Sequence, residues 1–236
     1  MRIRGERECQ DCGTRWSYYE TGSPNCPDCD SLRSVGLDER TRHTASPATL
    51  DLTAARELAA ADDLTGAAER ATETCREFVR RQGFVDAGEL AALDDTYLAA
   101  TELRYVAAAI DRSMRTGDDE KQYLLALLGG ADRGERPAPG AVPGSLRAAR
   151  GLACARAVRA YRREVDTYLD DHPDAAASAA LGTLLEHVKR VEALDGDVDP
   201  ETAEKLVRAA REIGTYLREG EAGALVAARE RLDRLA

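Results

Sequence analysis

Four cysteines near the start of the chain, Cys9, Cys12, Cys26 and Cys29, are the residues whose type and spacing could do chemistry. They form two pairs, Cys9-Gln-Asp-Cys12 and Cys26-Pro-Asp-Cys29, with thirteen residues between them. Each pair places two thiolates on one tight turn, and the intervening stretch is long enough for a hairpin that brings the turns face to face. Four sulfurs in a tetrahedral array suit one structural Zn2+, an ion with no geometric demand of its own and closed off from water in such sites. Gly13 after the first knuckle and Pro27 inside the second supply the backbone shape that these turns use. The spacer is slightly shorter than is usual for paired knuckles. Two other chemistries use the same residues. Disulfides belong to exported proteins, and a ferric tetrathiolate of the rubredoxin kind would use the same knuckles.

The need for a metal has a separate, energetic source. In the first forty or so residues only Ile3, Trp16, Tyr18, Tyr19, Leu32, Val35 and Leu37 could build a core. That is too little apolar surface to offset the ordering entropy of a segment this short. Structural zinc contributes on the order of 10–16 kcal/mol in comparable small sites, enough to fold such a ribbon.

Arg15, Trp16, Tyr18 and Tyr19 lie between the knuckles and form a candidate interaction surface, since aromatics beside Arg stack on exposed bases. Charge argues against a nucleic acid there. Residues 1–42 hold seven Arg against eight Asp or Glu, and four thiolates around one Zn2+ add about two further negative charges. Such a surface gains little from counterion release. The competing assignment puts Trp16 and one Tyr inside the ribbon core.

Nothing in the chain points to an enzyme. His43, His172 and His187 are scattered, and none follows a Glu by three residues, as di-iron bundles require. No P-loop, Gly-rich dinucleotide turn or Ser nucleophile elbow is present. Asp170-Asp171-His172 sits at a helix end before Pro173 and is expected to be solvated capping. Cys75 and Cys154 fall on apolar helix faces, as buried small hydrophobes do.

The elements that must position these residues divide the chain into a ribbon at 1–42, a linker at 43–50 around Pro47, and an all-α helical bundle at 51–236. In the bundle, apolar residues recur at helical spacing. One helix is expected from about Leu52 to Arg81, ending at Gly83. A second runs from Leu90 through Leu93, Tyr97, Ala100, Leu103, Val106 or Ala107 and Ile110 to Met114, with Asp86 and Glu89 as its capping box. A short helix follows Asp118 and stops at Gly129-Gly130. Residues 130–144 carry four Gly and three Pro and are expected to be a flexible loop. Further helices start near Leu146, after Asp174 and after Asp199-Pro200, and Leu225 to Leu235 close the chain. Many inward positions are Ala, which requires either tight packing or a second copy of the chain to complete the core.

The pattern Cys9-x-x-Cys12-Gly13 with Cys26-Pro27-x-Cys29 resembles the zinc ribbon of transcription initiation factor IIB. That resemblance covers about thirty residues and implies only the metal ligands, because no cyclin-like repeat follows. The opening, Met1-Arg-Ile-Arg-Gly-Glu-Arg-Glu-Cys9 with Thr14-Arg-Trp-Ser-Tyr-Tyr-Glu-Thr-Gly22, resembles an uncharacterised haloarchaeal family that carries such a ribbon before a helical region.

Composition sets the remaining expectations. The net charge is −10, and only three of the 33 basic residues are Lys. An acidic chain that prefers Arg to Lys fits a halophilic source, and a GC-rich genome gives the same bias. No run of apolar residues is long enough to span a bilayer, and no apolar stretch follows Arg2, Arg4 and Arg7, so the expected location is cytoplasmic. The expected role is a non-catalytic protein-interaction or adaptor module. Nucleic-acid or transcription-associated binding is the alternative.

Overall fold

The computed structural model describes residues 1–113 and 116–235. A small N-terminal unit of short antiparallel strands precedes a body of packed helices. In the first unit, β2 (Glu6–Cys9) is central and pairs with both β3 (Arg15–Ser17) and β4 (Ser34–Gly36). A one-turn helix, α1 (Tyr18–Thr21), follows β3. A second ribbon joins β1 (Arg2–Ile3) to β5 (Thr41–Arg42), which returns the chain to its own beginning.

Segment 43–50 is bonded along its length rather than free. The His43 amide donates to the Met1 carbonyl at 2.9 Å, and the amides of Thr44 and Ala45 both donate to Val85 O. Arg81 holds the Pro47 carbonyl at 2.9 Å, and Leu50 is buried in the helical core. Gly83 is where this strand crosses the body. A Cβ there would lie 2.3 Å from the Thr44 backbone, so only glycine admits the approach.

The helical region departs from the expected pattern at two places. The first helix is split into α2 (Thr53–Ala60) and α3 (Leu64–Arg81). Asp62 takes a left-handed conformation (φ 64°), and the Asp63 side chain caps α3 by accepting from the Gly66 amide. Short polar side chains tolerate that backbone and compete for it, and the apolar spacing on either side hides the break. The second departure concerns Asp86 and Glu89, which cap nothing. They face one another in a hairpin of β6 (Val85–Asp86) and β7 (Glu89–Leu90), turned by Ala87 (φ 51°) and Gly88 (φ 92°). Two successive positive φ values make the primed turn that tight hairpins use. The true cap of α4 (Asp95–Asp111) is Asp94, whose carboxylate accepts from the Tyr97 amide at 2.6 Å. Leu90 and Leu93 of the expected stripe are buried ahead of the helix, and Met114 lies outside the described residues.

The remaining helices are α5 (Asp118–Gly130), α6 (Arg147–Leu169), α7 (Ala175–Ala193), α8 (Pro200–Glu219) and α9 (Ala222–Asp233). Asp174 and Asp199 cap α7 and α8 through their side chains, and Pro200 occupies the first turn of α8. Residues 130–144 pass through three single 3-10 turns that bring Arg136 into the body. Helix α4 packs on α3 and α6, and α6 and α8 pack together with α7 and α9 around them. The Ala faces are closed within one chain: Ala67, Ala71, Ala99, Ala155, Ala177 and Ala209 are fully buried. Phe84, between the helices, meets the rings of Tyr97 and Tyr161 edge-on at 4.9 and 5.0 Å. Among the described residues no helix is long and apolar enough to cross a membrane.

Candidate metal centre

The two knuckles are built alike. In the first, the Cys9 amide donates to Thr14 O at 2.9 Å and the Gly13 amide to Cys9 O at 3.1 Å. In the second, the Cys26 amide donates to Ser31 O at 2.9 Å and the Asp30 amide to Cys26 O at 2.9 Å. The residue after the second cysteine is left-handed in both, Gly13 at φ 77° and Asp30 at φ 57°. A non-glycine residue in that region costs energy unless its surroundings hold it. Here the Asp30 carboxylate accepts from the Asn25 side chain at 2.9 Å.

The aspartate inside each knuckle ties it to the other half of the unit. Asp11 accepts from the Ser31 hydroxyl at 2.5 Å and from Arg33 at 2.8 Å. Asp28 accepts from the Thr14 hydroxyl at 3.3 Å. These crossed bonds bring the four sulfurs together. Cys9 Sγ lies 3.6 Å from Cys29 Sγ, Cys12 Sγ lies 3.6 Å from Cys26 Sγ, and all four fall within 4.8 Å of one another. A tetrahedron with metal–sulfur bonds of ~2.3 Å has edges of roughly 3.8 Å, so the set fits a single tetrahedral ion. Cys9 and Cys26 are buried and Cys12 and Cys29 exposed, and all four are free thiols. The Thr14 hydroxyl and amide hold Cys12 down at about 6. Cys29 also receives a lowering bond from the Ser31 amide, yet its bonds to the other thiols push it up to about 12. Cys12 therefore gives up its proton more readily than Cys29.

The cysteines are also part of the unit's core, since Cys9, Cys26 and Trp16 form its buried cluster. Trp16 Nε1 donates to Ser23 O at 3.2 Å, so the indole is a structural plug rather than an open stacking face. Of the other apolar candidates for this core, Leu32, Val35 and Leu37 are exposed. Arg15 pairs with Glu8 at 2.6 Å. Tyr19 packs over Gly5 and His43, and its hydroxyl meets Thr41 Oγ1 at 2.6 Å, while Tyr18 stands edge-on to His43 at 6.3 Å. The four residues therefore do not come together as one exposed surface.

Two charged clusters escaped the sequence reading. Asp171, expected to be solvated, receives Arg42 Nε at 2.9 Å and also pairs with Arg2, joining β1 and β5 to the end of α6. The second cluster lies inside the helices. Arg150 donates to Glu102 at 2.6 Å, to the Tyr123 hydroxyl at 3.0 Å and to Glu204 at 2.8 Å, and Arg136 bonds Glu102 and Glu204 at 3.2 and 3.0 Å. Burial disfavours the Arg150 charge, but Glu102 and then Tyr123 raise its pKa overall. Burial likewise raises Glu204, and Arg136 and Arg150 outweigh it and lower the carboxyl. Opposite charges balance two against two, so the buried ions compensate one another. A signal for it does exist in the sequence: Glu102 and Arg150 each interrupt an otherwise apolar or small-residue helix face. Cys75 and Cys154 are buried as expected, and burial pushes both thiols up to about 12.

No curated protein and no solved structure matches this chain. A family model described as "Family of unknown function (DUF7117)" matches residues 1–232, so that ribbon and helices are covered together, and the chain belongs to that family.

Proposed function

We propose that the N-terminal unit is a zinc ribbon holding one structural Zn2+ through Cys9, Cys12, Cys26 and Cys29, and that the protein is a non-catalytic adaptor for another protein in the cytoplasm of a halophilic cell. The observation that carries the metal assignment is the arrangement of four sulfurs at tetrahedral spacing on two matched knuckles. With thiolates at every corner the ion has no open position for water or substrate, so it supplies a cross-link and not catalysis. The adaptor role is supported by the rest of the ribbon surface, where Leu32, Val35 and Leu37 remain exposed.

Nucleic-acid or transcription-linked binding is the second reading, favoured by the resemblance of the knuckle pattern to that of initiation factor IIB. The buried Trp16 weighs against it by removing the stacking platform that sequence-tolerant binding uses.

The test has two parts. Elemental analysis of freshly purified protein is expected to find one zinc per chain, and iron or no metal overturns the metal assignment. Affinity purification from the native cell is expected to return a stoichiometric protein partner that a Cys9→Ser, Cys29→Ser variant fails to hold. Recovery of nucleic acid in place of protein overturns the adaptor reading.

A further inference from the structure

One cleft of the ribbon is lined by Arg2, Ile3, Arg4, Arg7, Gly36 and Arg40. Four arginines without a carboxylate in the lining stand out on a chain of net charge −10. Arg2 is engaged by Asp171, but Arg4, Arg7 and Arg40 form no ion pair among the described residues. Arg4 bonds the Gly36 carbonyl at 3.3 Å and Arg7 bonds Ser34 Oγ at 2.8 Å, neutral acceptors that leave both charges uncompensated. Asp38, two residues before Arg40, is turned away to accept the Gly5 amide at 2.9 Å, and Glu39 between them is exposed, lies outside the cleft lining and forms no ion pair among the described residues.

The cleft borders β4, whose outer edge pairs with no other strand among the described residues. Register places Gly36 opposite Arg7 and Val35 opposite Glu8. Residues directly opposite in an antiparallel pair share a face, and successive residues alternate faces. Gly36 and Ser34 therefore lie on the arginine face, whereas Val35 and Leu37 lie on the other, and both are exposed. Of the outward main-chain groups on this edge, Gly36 O accepts from Arg4 at 3.3 Å and the Ser34 amide donates to Leu32 O at 3.1 Å, which leaves the Gly36 amide and Ser34 O as the template for an incoming strand.

We propose that the outer edge of β4 receives an extended segment of a partner protein in which acidic and apolar residues alternate. Its carboxylates meet Arg4, Arg7 and Arg40 on one face, and its apolar side chains cover Val35 and Leu37 on the other. Main-chain bonds to the edge supply affinity and the alternation supplies specificity. Arginine forks favour the planar carboxylate as bidentate partner. A nucleic acid offers phosphate charge to the first face but no main-chain amides and carbonyls to pair with the strand edge. The proposal rests on the adaptor reading and names the chemistry of its partner.

The test uses the full metal-loaded chain and a fluorescein-labelled peptide of alternating Asp and Val, read by anisotropy. The comparison probes are a block peptide of the same composition and a labelled oligothymidylate. The alternating peptide is expected to bind more tightly than either. Arg4→Glu with Arg40→Glu is expected to weaken it roughly tenfold or more, and Arg76→Glu, on a helix far along the chain, to leave it unchanged. Val35→Asp with Leu37→Asp is expected to weaken it as well, with the metal content of every variant equal to that of the parent. Absence of binding, equal binding of the block peptide, or insensitivity to either double variant overturns the proposal. Tighter binding of oligothymidylate with the same arginine dependence also overturns it and assigns the cleft to phosphate. If the arginine variant keeps the native-cell partner that the cysteine variant loses, this proposal fails while the adaptor reading stands. If the native cell yields nucleic acid in place of a protein partner, the adaptor reading fails as well.

Discussion

Arg42, the last residue of the last ribbon strand, lays its guanidinium against Asp171 just past the end of α6, with Nε 2.9 Å from Oδ2. Arg2 binds the same carboxylate from the paired strand, so the two ends of the ribbon converge on one acidic group of the helical body. The Arg42 hydrogen bond, offset in part by desolvation and reinforced by Arg2, holds Asp171 at about 2, against an ordinary 3.8. A carboxylate whose pKa is lower in the folded state stabilises that state above its unfolded value, and the contribution disappears as pH falls from about 3.8 toward about 2. Asp171→Asn is expected to speed amide exchange at His43, Thr44 and Ala45 while leaving metal content intact. Hydrogen exchange followed by mass spectrometry reads this, and unchanged protection would show that backbone bonds alone seat the ribbon.

Removing the metal is expected to unfold the ribbon without unfolding the helices. The ribbon's own buried cluster is only Cys9, Trp16 and Cys26, whereas the helical core is continuous and separate from it. A zinc ion held there, as proposed, would contribute on the order of 10–16 kcal/mol, as in comparable sites, far more than one buried indole. A strong chelator is expected to red-shift Trp16 fluorescence while far-ultraviolet circular dichroism stays almost constant. Metal affinity is expected to fall with pH, because protons must leave the thiols for the cation to bind. A coincident loss of helical signal would contradict this division.

The buried network predicts a pronounced asymmetry. Arg150→Met leaves Glu102 and Glu204 short of a partner inside the core and is expected to cost about 3–5 kcal/mol of stability, read by chemical denaturation. Arg150→Met combined with Glu102→Leu is expected to cost less than the sum of the single changes, since the pair leaves together. Additive losses would mean that the charges act independently.

Acid is expected to weaken the fold through histidine. His43 is buried against Asp86 at 3.2 Å, and desolvation lowers its pKa below 6.5 despite that partner. Burial, and then Arg190, lowers His187 in the same direction. A group with a lower folded pKa binds its proton more readily in the unfolded chain, so stability falls as pH drops below about 6.5. The melting temperature is expected to fall between pH 7.5 and 5.5, and His43→Gln with His187→Gln to flatten that slope. A slope that both changes leave untouched would place the acid sensitivity elsewhere.

Knuckles and helices were legible because their signals are local. Cys9 and Cys12 are fixed on one turn by their spacing, and a cap such as Asp174 bonds an amide three residues away. The hairpin at Val85–Leu90 was missed for an equally local reason, since its Asp and Glu also match a helix-capping pattern. Only the left-handed backbone at Ala87 and Gly88 distinguishes the two.

By itself, then, the sequence determined the four-sulfur site, the division into ribbon and helices, and most helix ends, all of which depend on neighbours within a few residues. The tertiary structure decided which charges became partners and which apolar residues stayed outside. Arg42 and Asp171 are 129 residues apart, and Arg150 meets Glu204 across 54. No spacing rule reaches that far, because such pairs form only after helix packing has chosen which faces are removed from water.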